Sequence, residues 1–338
     1  MNMKPPKFWY YSKYHPTNLV FSLPSHIISF AMLLRRIFGK KKVLDFPSVG
    51  VGSLALGGAG KTTLSLKIAQ ILSENKIRPA VIHSGFGGKK EGVFMPETEN
   101  LDGVCDETVL ALKRNFIGAS FKKREKALDS LRKIADALIF DDFFSYLLEP
   151  EIKILTFTKE SIGNTLVFPF GPMREPIISA LWTDMVFIEK GINDSFKRKI
   201  EKLNKKTFYF ISKIQKFIYS DGNKISEKNT SEISGARAVL VSSIALPSRF
   251  RRMIREIGIN IVEHFDLPDH SQIPFSTITE IREKINKKLA DIVVSTEKDF
   301  WKITNRTKLP LYGVCVEFEI GDEEKFRKKL FESLSISK

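Results

Sequence analysis

The sequence predicts an α/β fold of the P-loop NTPase type. The expected architecture is a largely parallel sheet flanked by helices, with a smaller C-terminal α/β lobe and an N-terminal membrane-associated helix. Three observations carry this. Gly57-Gly58-Ala59-Gly60-Lys61-Thr62-Thr63 sits between a strand-like and a helix-like segment. Short apolar runs alternate with helical stretches along most of the chain, which is the pattern of βαβ units. A long apolar segment beside a basic cluster lies near the N-terminus.

That segment spans 18–38. No small-residue cleavage site follows it, unlike a signal peptide. Pro24 and His26 interrupt it, and Arg35-Arg36 end the apolar run too early for a spanning helix. From Ser25 onward it suits a helix, with Ser25 as N-cap. With Arg35, Arg36, Lys40, Lys41 and Lys42 following, it suits a monotopic anchor on an anionic membrane surface. Trp9, Tyr10, Tyr11 and Tyr14 would sit at headgroup level. A helix packed on the core is the alternative.

Residues 46–54 read as a buried strand and 64–72 as an amphipathic helix. Between them, backbone N–H groups of Gly57, Gly58, Ala59, Gly60, Lys61, Thr62 and Thr63 would cradle a phosphate. Lys61 would reach the β- and γ-phosphates of a nucleotide, and the Thr62 hydroxyl would ligate Mg²⁺; the motif does not choose between kinase, ATPase and GTPase. The first glycine of the full P-loop pattern is missing, since Ala55 stands there.

Further apolar runs fall at 80–83, 137–140, 152–157, 184–188, 208–211, 238–241, 292–295 and 311–316. The expected division is a membrane-associated segment 1–42, a P-loop core domain 43–219, a linker or hairpin 220–235 and a C-terminal lobe 236–338. Asp141-Asp142 close the run 137–140, at the edge where open α/β sheets bind ligands. An acidic residue there positions Mg²⁺ in P-loop enzymes. His83-Ser-Gly-Phe-Gly-Gly88 follows another strand, and its glycines allow close approach to a ligand. Asp106-Glu107 precede a helix over 108–114; Asp106 reads as an N-cap or a general base. Asp269-His270 is an acid/base pair or an ordinary turn. Gly171-Pro-Met-Arg-Glu-Pro176 is an ordered turn presenting Arg174 to a phosphate and Glu175 to the metal.

The 338 residues carry a net charge of +15. That excess suits an anionic membrane surface or a phosphorylated substrate. No zinc-finger spacing or aromatic–basic RNA-binding pattern supports nucleic acid. Cys105 and Cys315 lack metal spacing and read as buried small hydrophobes.

Together these motifs resemble the tetraacyldisaccharide 4′-kinases, the lipid A 4′-kinases of Gram-negative bacteria. The likeness runs in order over nearly the whole chain. It includes Gly57 to Thr62, Asp106-Glu107, Asp141-Asp142, Gly163-Asn164 and Gly171 to Pro176. Ser243-Ile-Ala-Leu-Pro-Ser-Arg-Phe250, Pro268-Asp-His270 and Thr296-Glu-Lys-Asp299 continue it. The family's P-loop also lacks the first glycine. The resemblance implies an ATP- and Mg²⁺-dependent kinase acting on a lipid disaccharide at the cytoplasmic face of the inner membrane. It implies Asp106 with His270, and Lys61 with Asp142, as catalytic residues. Thr62, Asp141 and Glu175 would hold the metal, and Phe86, Gly87, Arg124, Asn164 and Arg174 the substrate. The departures are Ser84 for an arginine, Phe143 for a glycine, Tyr146 for a histidine and Ser271 for a second histidine. They motivate a second reading, a non-catalytic nucleotide- or lipid-binding scaffold. A membrane-partitioning P-loop ATPase is a third, but it has no need of the Gly-Pro-Met-Arg-Glu-Pro and Pro-Asp-His segments.

Overall fold

The computed structural model describes residues 6–10, 15–145, 148–204 and 206–335. The chain divides into two units. One comprises the described residues 6–211 together with those from 318 on; the other comprises 212–317.

The first unit begins with α1 (Pro16–Phe38), β1 (Lys42–Val43) and β2 (Ser48–Gly52), followed by α2 (Lys61–Glu74), β3 (Pro79–His83) and β4 (Gly92–Phe94). Then come α3 (Asp106–Lys113), β5 (Ile117–Ser120), α4 (Leu128–Leu131), β6 (Ala137–Asp141), β7 (Leu148–Glu149) and β8 (Ile152–Phe157). Next are β9 (Met185–Glu189), α5 (Asp194–Leu203) and the start of β10 (Thr207–Ser220). The sheet order is β10-β9-β8-β2-β6-β3-β5-β4, and only the edge strand β4 runs antiparallel. Its central strands are apolar on both faces, as a parallel sheet covered on both sides requires. Leu138, Phe140, Ile82 and Leu155 point to one core, which Phe196 and Ile200 of α5 complete. Val49, Val51, Val81 and Ile139 point to the other, covered by Leu64, Ile68 and Leu72 of α2.

The second unit holds the end of β10, β11 (Ile225–Lys228), β12 (Arg237–Ser242), α6 (Pro247–Glu256), β13 (Asn260–Asp266), α7 (Phe275–Asn286), β14 (Ile292–Thr296), α8 (Glu297–Ile303) and most of β15 (Leu311–Ile320). Strands β13-β12-β14-β15 pair in parallel. The stretch expected as linker or hairpin is a hairpin arm, with β11 antiparallel to Phe217–Ser220 of β10.

After residue 317 the chain rejoins the first unit, ending in α9 (Glu323–Ser333). The expected C-terminal lobe of 236–338 is therefore too long. Phe318, Phe326 and Leu330 belong to the core against Phe187 and Phe208. Lys67 and Glu74 of α2 pair with Glu323 and Arg327 of α9.

Helix α1 begins nine residues earlier than Ser25, capped by His15, whose Nδ1 accepts from Thr17 N–H. Ser25 is no cap. It is buried, and its hydroxyl accepts from Val167 N–H at 3.0 Å. Trp9 is also buried, donating from Nε1 to the Pro169 carbonyl at 3.0 Å, so it is not placed for a headgroup layer. Tyr10 is exposed, while Tyr11 and Tyr14 lie outside the described residues.

Candidate active site

Sheet order decides which strand ends meet. Strand β6 lies between β2 and β3, so the P-loop, Asp141 and His83 all leave neighbouring strands at their carboxyl ends. Thr62, the second residue of α2, donates its hydroxyl to Asp141 Oδ2 at 2.7 Å, and Ser65 lies 3.3 Å from Oδ1. His83 Nδ1 is 3.2 Å from the same Oδ2. Burial pushes the Asp141 carboxyl up. The His83 hydrogen bond and charge, the Thr62 hydroxyl and the Lys61 charge outweigh that burial and hold it below the usual aspartate range. Asp141 is therefore ionised at neutral pH.

The loop itself is held from behind. Thr158 donates to the Gly58 carbonyl at 2.8 Å and Thr156 to the Ala59 carbonyl at 3.2 Å. A planar trans peptide turns the following N–H the opposite way, so pinned carbonyls aim the Ala59 and Gly60 amides outward. Ala55 is buried and bridges Met173. Leu56 N–H donates to Pro172 O at 2.9 Å, and Arg174 N–H to Leu54 O at 2.7 Å. The turn 171–176 thus lies antiparallel against 54–56, and a pattern glycine at 55 has no structural task here.

Asp142 holds the cations of the site. Arg174 donates to both its oxygens, at 2.9 and 2.8 Å, and also to the Leu56 carbonyl at 2.6 Å. Lys61 Nζ stands 3.6 Å from Asp142 Oδ1. Asp142 has φ 58, a left-handed conformation that aspartate tolerates better than most residues. Phe143, which stands for a glycine, is accommodated rather than intrusive. A Cβ on Gly50 would come within 2.5 Å of its ring, and one on Gly52 within 2.8 Å of Phe144 Cβ. The two glycines of β2 make room for the two phenylalanines.

Asp106 is the first residue of α3, and Cys105 is the N-cap, so the capping role read for Asp106 does not hold. The loop carrying Phe86 and Gly87 packs close by: a Cβ on Gly88 would meet Cys105 N at 2.9 Å. Phe86 is exposed, and Gly87 has φ 77. His270 lies in the second unit at φ 59, with Nε2 3.7 Å from Asp269 Oδ1.

Two expected site residues are engaged elsewhere. Glu175, read as a metal ligand, pairs with Arg36 of α1 at 3.5 Å and accepts from Ser179 at 3.3 Å. Asn164, read as a substrate contact, is buried. Its Nδ2 donates to Asn18 Oδ1 and the Phe170 carbonyl, and its Oδ1 accepts from Leu166 N–H. A buried amide with those partners latches α1 to the loop 164–170. The side chain of Arg124, and all of Tyr146, lie outside the described residues.

His83 opens the Gly-rich segment 83–88, but the sequence assigns no role to its side chain or to Ser65. The only available signal was that His83 ends a core strand, and that becomes informative only once β3 is known to pair with β6. Thr62 and Asp141 offer hard oxygen donors of the kind Mg²⁺ takes. Among the described residues no three His, Cys, Asp or Glu side chains form a metal cage. Mg²⁺ in nucleotide enzymes is held by one or two protein ligands plus phosphate, which suits this donor set.

The family model for tetraacyldisaccharide-1-P 4′-kinases matches residues 17–335. The chain belongs to that family. A tetraacyldisaccharide 4′-kinase of Pelagibacter ubique is 29% identical over 340 residues, covering 98% of this chain and 98% of its own length. One from Neisseria meningitidis serogroup C is 27% identical over 283 residues, covering 81% of this chain and 76% of its own. A crystal structure described as an apo form of LpxK from Aquifex aeolicus in complex with ATP gives a TM-score of 0.68 at 21% identity, covering 93% of this chain and 97% of that one. The P-loop α/β fold and the kinase family expected from the motifs are thereby borne out.

Proposed function

We propose that this chain transfers the γ-phosphoryl group of ATP to the 4′-hydroxyl of a tetraacylated glucosamine disaccharide 1-phosphate. The observation that carries the proposal is the Thr62–Asp141 contact at the head of a pinned P-loop, in a chain matched by the kinase family model over 17–335. Lys61 and the loop amides hold the phosphates. Thr62 and Asp141 hold Mg²⁺, which when bound neutralises charge on the β- and γ-phosphates. Glu175 is left out of this set because Arg36 and Ser179 engage it. Arg174, now on Asp142, and Lys61 supply the positive charge that a transferring phosphoryl group needs. Asp106 takes the proton of the 4′-hydroxyl as its oxygen attacks phosphorus, the bond to ADP breaks, and His270 receives the proton onward. Phe86 and Gly87 face the acceptor.

The exposed apolar residues of α1, with Arg35 and Lys40 to Lys42, support docking on the cytoplasmic face of the inner membrane, where such a lipid resides. The full chain in detergent micelles, given ATP, Mg²⁺ and the disaccharide monophosphate, should yield the bisphosphate. Lys61→Ala should lower turnover by about a hundredfold or more with an unchanged circular dichroism spectrum. ATP hydrolysis without transfer would favour the partitioning ATPase. ATP binding with neither would favour the scaffold, and Ser84 and Phe143 would then be the first positions to revert.

A further inference from the structure

Beneath the loop that carries His270 lies a buried ionic cluster that the proposed reaction does not use. It joins the carboxyl ends of β12 and β14 to helix α8. Asp299 is fully buried. It accepts from Ser243 N–H at 2.8 Å, from the Ser243 hydroxyl, and from the Thr296 hydroxyl at 2.7 Å. Lys302, one turn on, stands 3.2 Å from Asp299 and donates to Ser243 Oγ at 3.0 Å. A buried aspartate with that many donors is satisfied as an anion, and its cation is fixed in place.

The fixed cation reaches outward. Lys302 Nζ also donates to the Ser271 carbonyl at 3.3 Å. Ser243 accepts at its own carbonyl from His270 N–H at 3.2 Å. Lys298, on the same helix, stands 3.6 Å from Asp269 Oδ1. Three consecutive loop residues, Asp269, His270 and Ser271, are thus each held by the cluster or by its helix. The middle one has φ 59, a conformation a bulky side chain keeps only when its surroundings impose it.

We infer that Asp299, Lys302 and Lys298 are positioning residues that hold His270 in its left-handed backbone and so aim its imidazole. The inference rests on the proton-accepting role proposed for His270. It ties Thr296-Glu-Lys-Asp299 and the Ser243 segment, which hydrogen-bond to each other, to the loop that carries His270.

The test is a double-mutant cycle on the full chain in the micelle assay. Lys298→Met and Lys302→Met should each lower kcat by about tenfold, because small misplacements of a reacting group are costly. The KM for ATP should stay within about twofold, and in a His270→Ala background each change should cost less than about twofold. Lys302→Met leaves Asp299 buried without its cation, so melting is followed alongside. If that variant does not fold, Lys298→Met, whose partner Asp269 reaches solvent, carries the cycle. Unchanged kcat in the folded variants, or losses that multiply with His270→Ala, would overturn the inference. The imidazole ¹³C–¹H signal of His270 gives a second readout. It should move in both lysine variants, while those of the other four of the five histidines stay in place. If His270→Ala itself is silent but the signal moves, the role of His270 in the reaction falls and the positioning stands. If the signal stays still, the positioning falls.

Discussion

Gly60 is constrained twice. Its φ of 79 is left-handed, and a Cβ there would come within 2.3 Å of Phe318 Cζ. That ring stacks on Phe210 at 3.9 Å and cannot swing aside. Gly60→Ala should therefore destabilise the fold by about 2–4 kcal/mol, from strain and overpacking together. Urea unfolding monitored by circular dichroism checks this; a change below about 0.5 kcal/mol would contradict the close approach. At this scale the sequence was legible where a motif stands on a strand end. Lys61, Thr62, Asp141 and Asp142 meet as the P-loop pattern and the acidic strand end imply. The pairing of Glu175 with Arg36 and of Asn164 with Asn18 is not legible in the motif, which says which residue types are present, not which neighbours they have. Arg36 and Asn18 lie more than a hundred residues away in sequence, and no local pattern announces them.

At the scale of one element, α1 has its polarity reversed. Its inward contacts are polar: Asn18 on Asn164, Ser25 on Val167, and Arg36 on the Phe144 carbonyl at 3.1 Å and over the Phe144 ring at 3.8 Å. Ile28 and Met32 add apolar contact. Its outward face shows Leu19, Val20, Leu23, Ile27 and Phe30, each more than 60% exposed. A face of that kind in water costs free energy unless something apolar covers it. Replacing Leu19, Leu23 and Ile27 together with Gln should lower binding to vesicles containing anionic lipid by more than about tenfold, since each lost side chain forfeits roughly 1.5–3 kcal/mol of burial. The melting temperature should not change. Unchanged flotation with vesicles would remove the docking role from this face. Deleting 1–42 is a poorer test, because it also strips Arg36 from Phe144 and Glu175. The sequence reading began the helix at Ser25 because Pro24 breaks the pattern. Pro24 forfeits only the bond to the Val20 carbonyl, and anchors at Asn18 and Ser25 hold the helix on both sides of it.

Across the whole molecule, one clamp is used in both units. Arg78 precedes β3, and its backbone N–H and guanidinium bind Asp136, the residue before β6; Asp136 N–H returns a bond to the Arg78 carbonyl. Arg237 and Asp291 do the same for β12 and β14. Each fixes the register of two neighbouring parallel strands at their amino ends. The Arg237 guanidinium and N–H bring the Asp291 carboxyl down to about 2 from 3.8. A depressed carboxylate stabilises above its unfolded value, and that stability is lost as pH falls through the folded one. The melting-temperature gap between wild type and Asp291→Asn should be full at pH 5 and shrink between pH 3.8 and about 2. A gap independent of pH would show that the charge is not what matters. The parallel α/β core was legible because its strands are continuous apolar runs. Ile117–Ser120 was not, three of its four residues being small, nor was the edge strand Asn260–Asp266, whose residues are mostly half-buried. The return of the chain after 317 was invisible because proximity in sequence says nothing of which core a terminal helix completes.

That return sets an order on biosynthesis. The ribosome releases the phosphate loop well before Phe318, which floors Gly60, and before Phe326 and Leu330, which close the core beside α2. During translation the loop must wait without its floor while the intervening unit is made. A nascent chain arrested shortly before residue 318 would present an exposed apolar sheet face to chaperones, and competence to hold nucleotide would arrive only once residues 318–330 have followed.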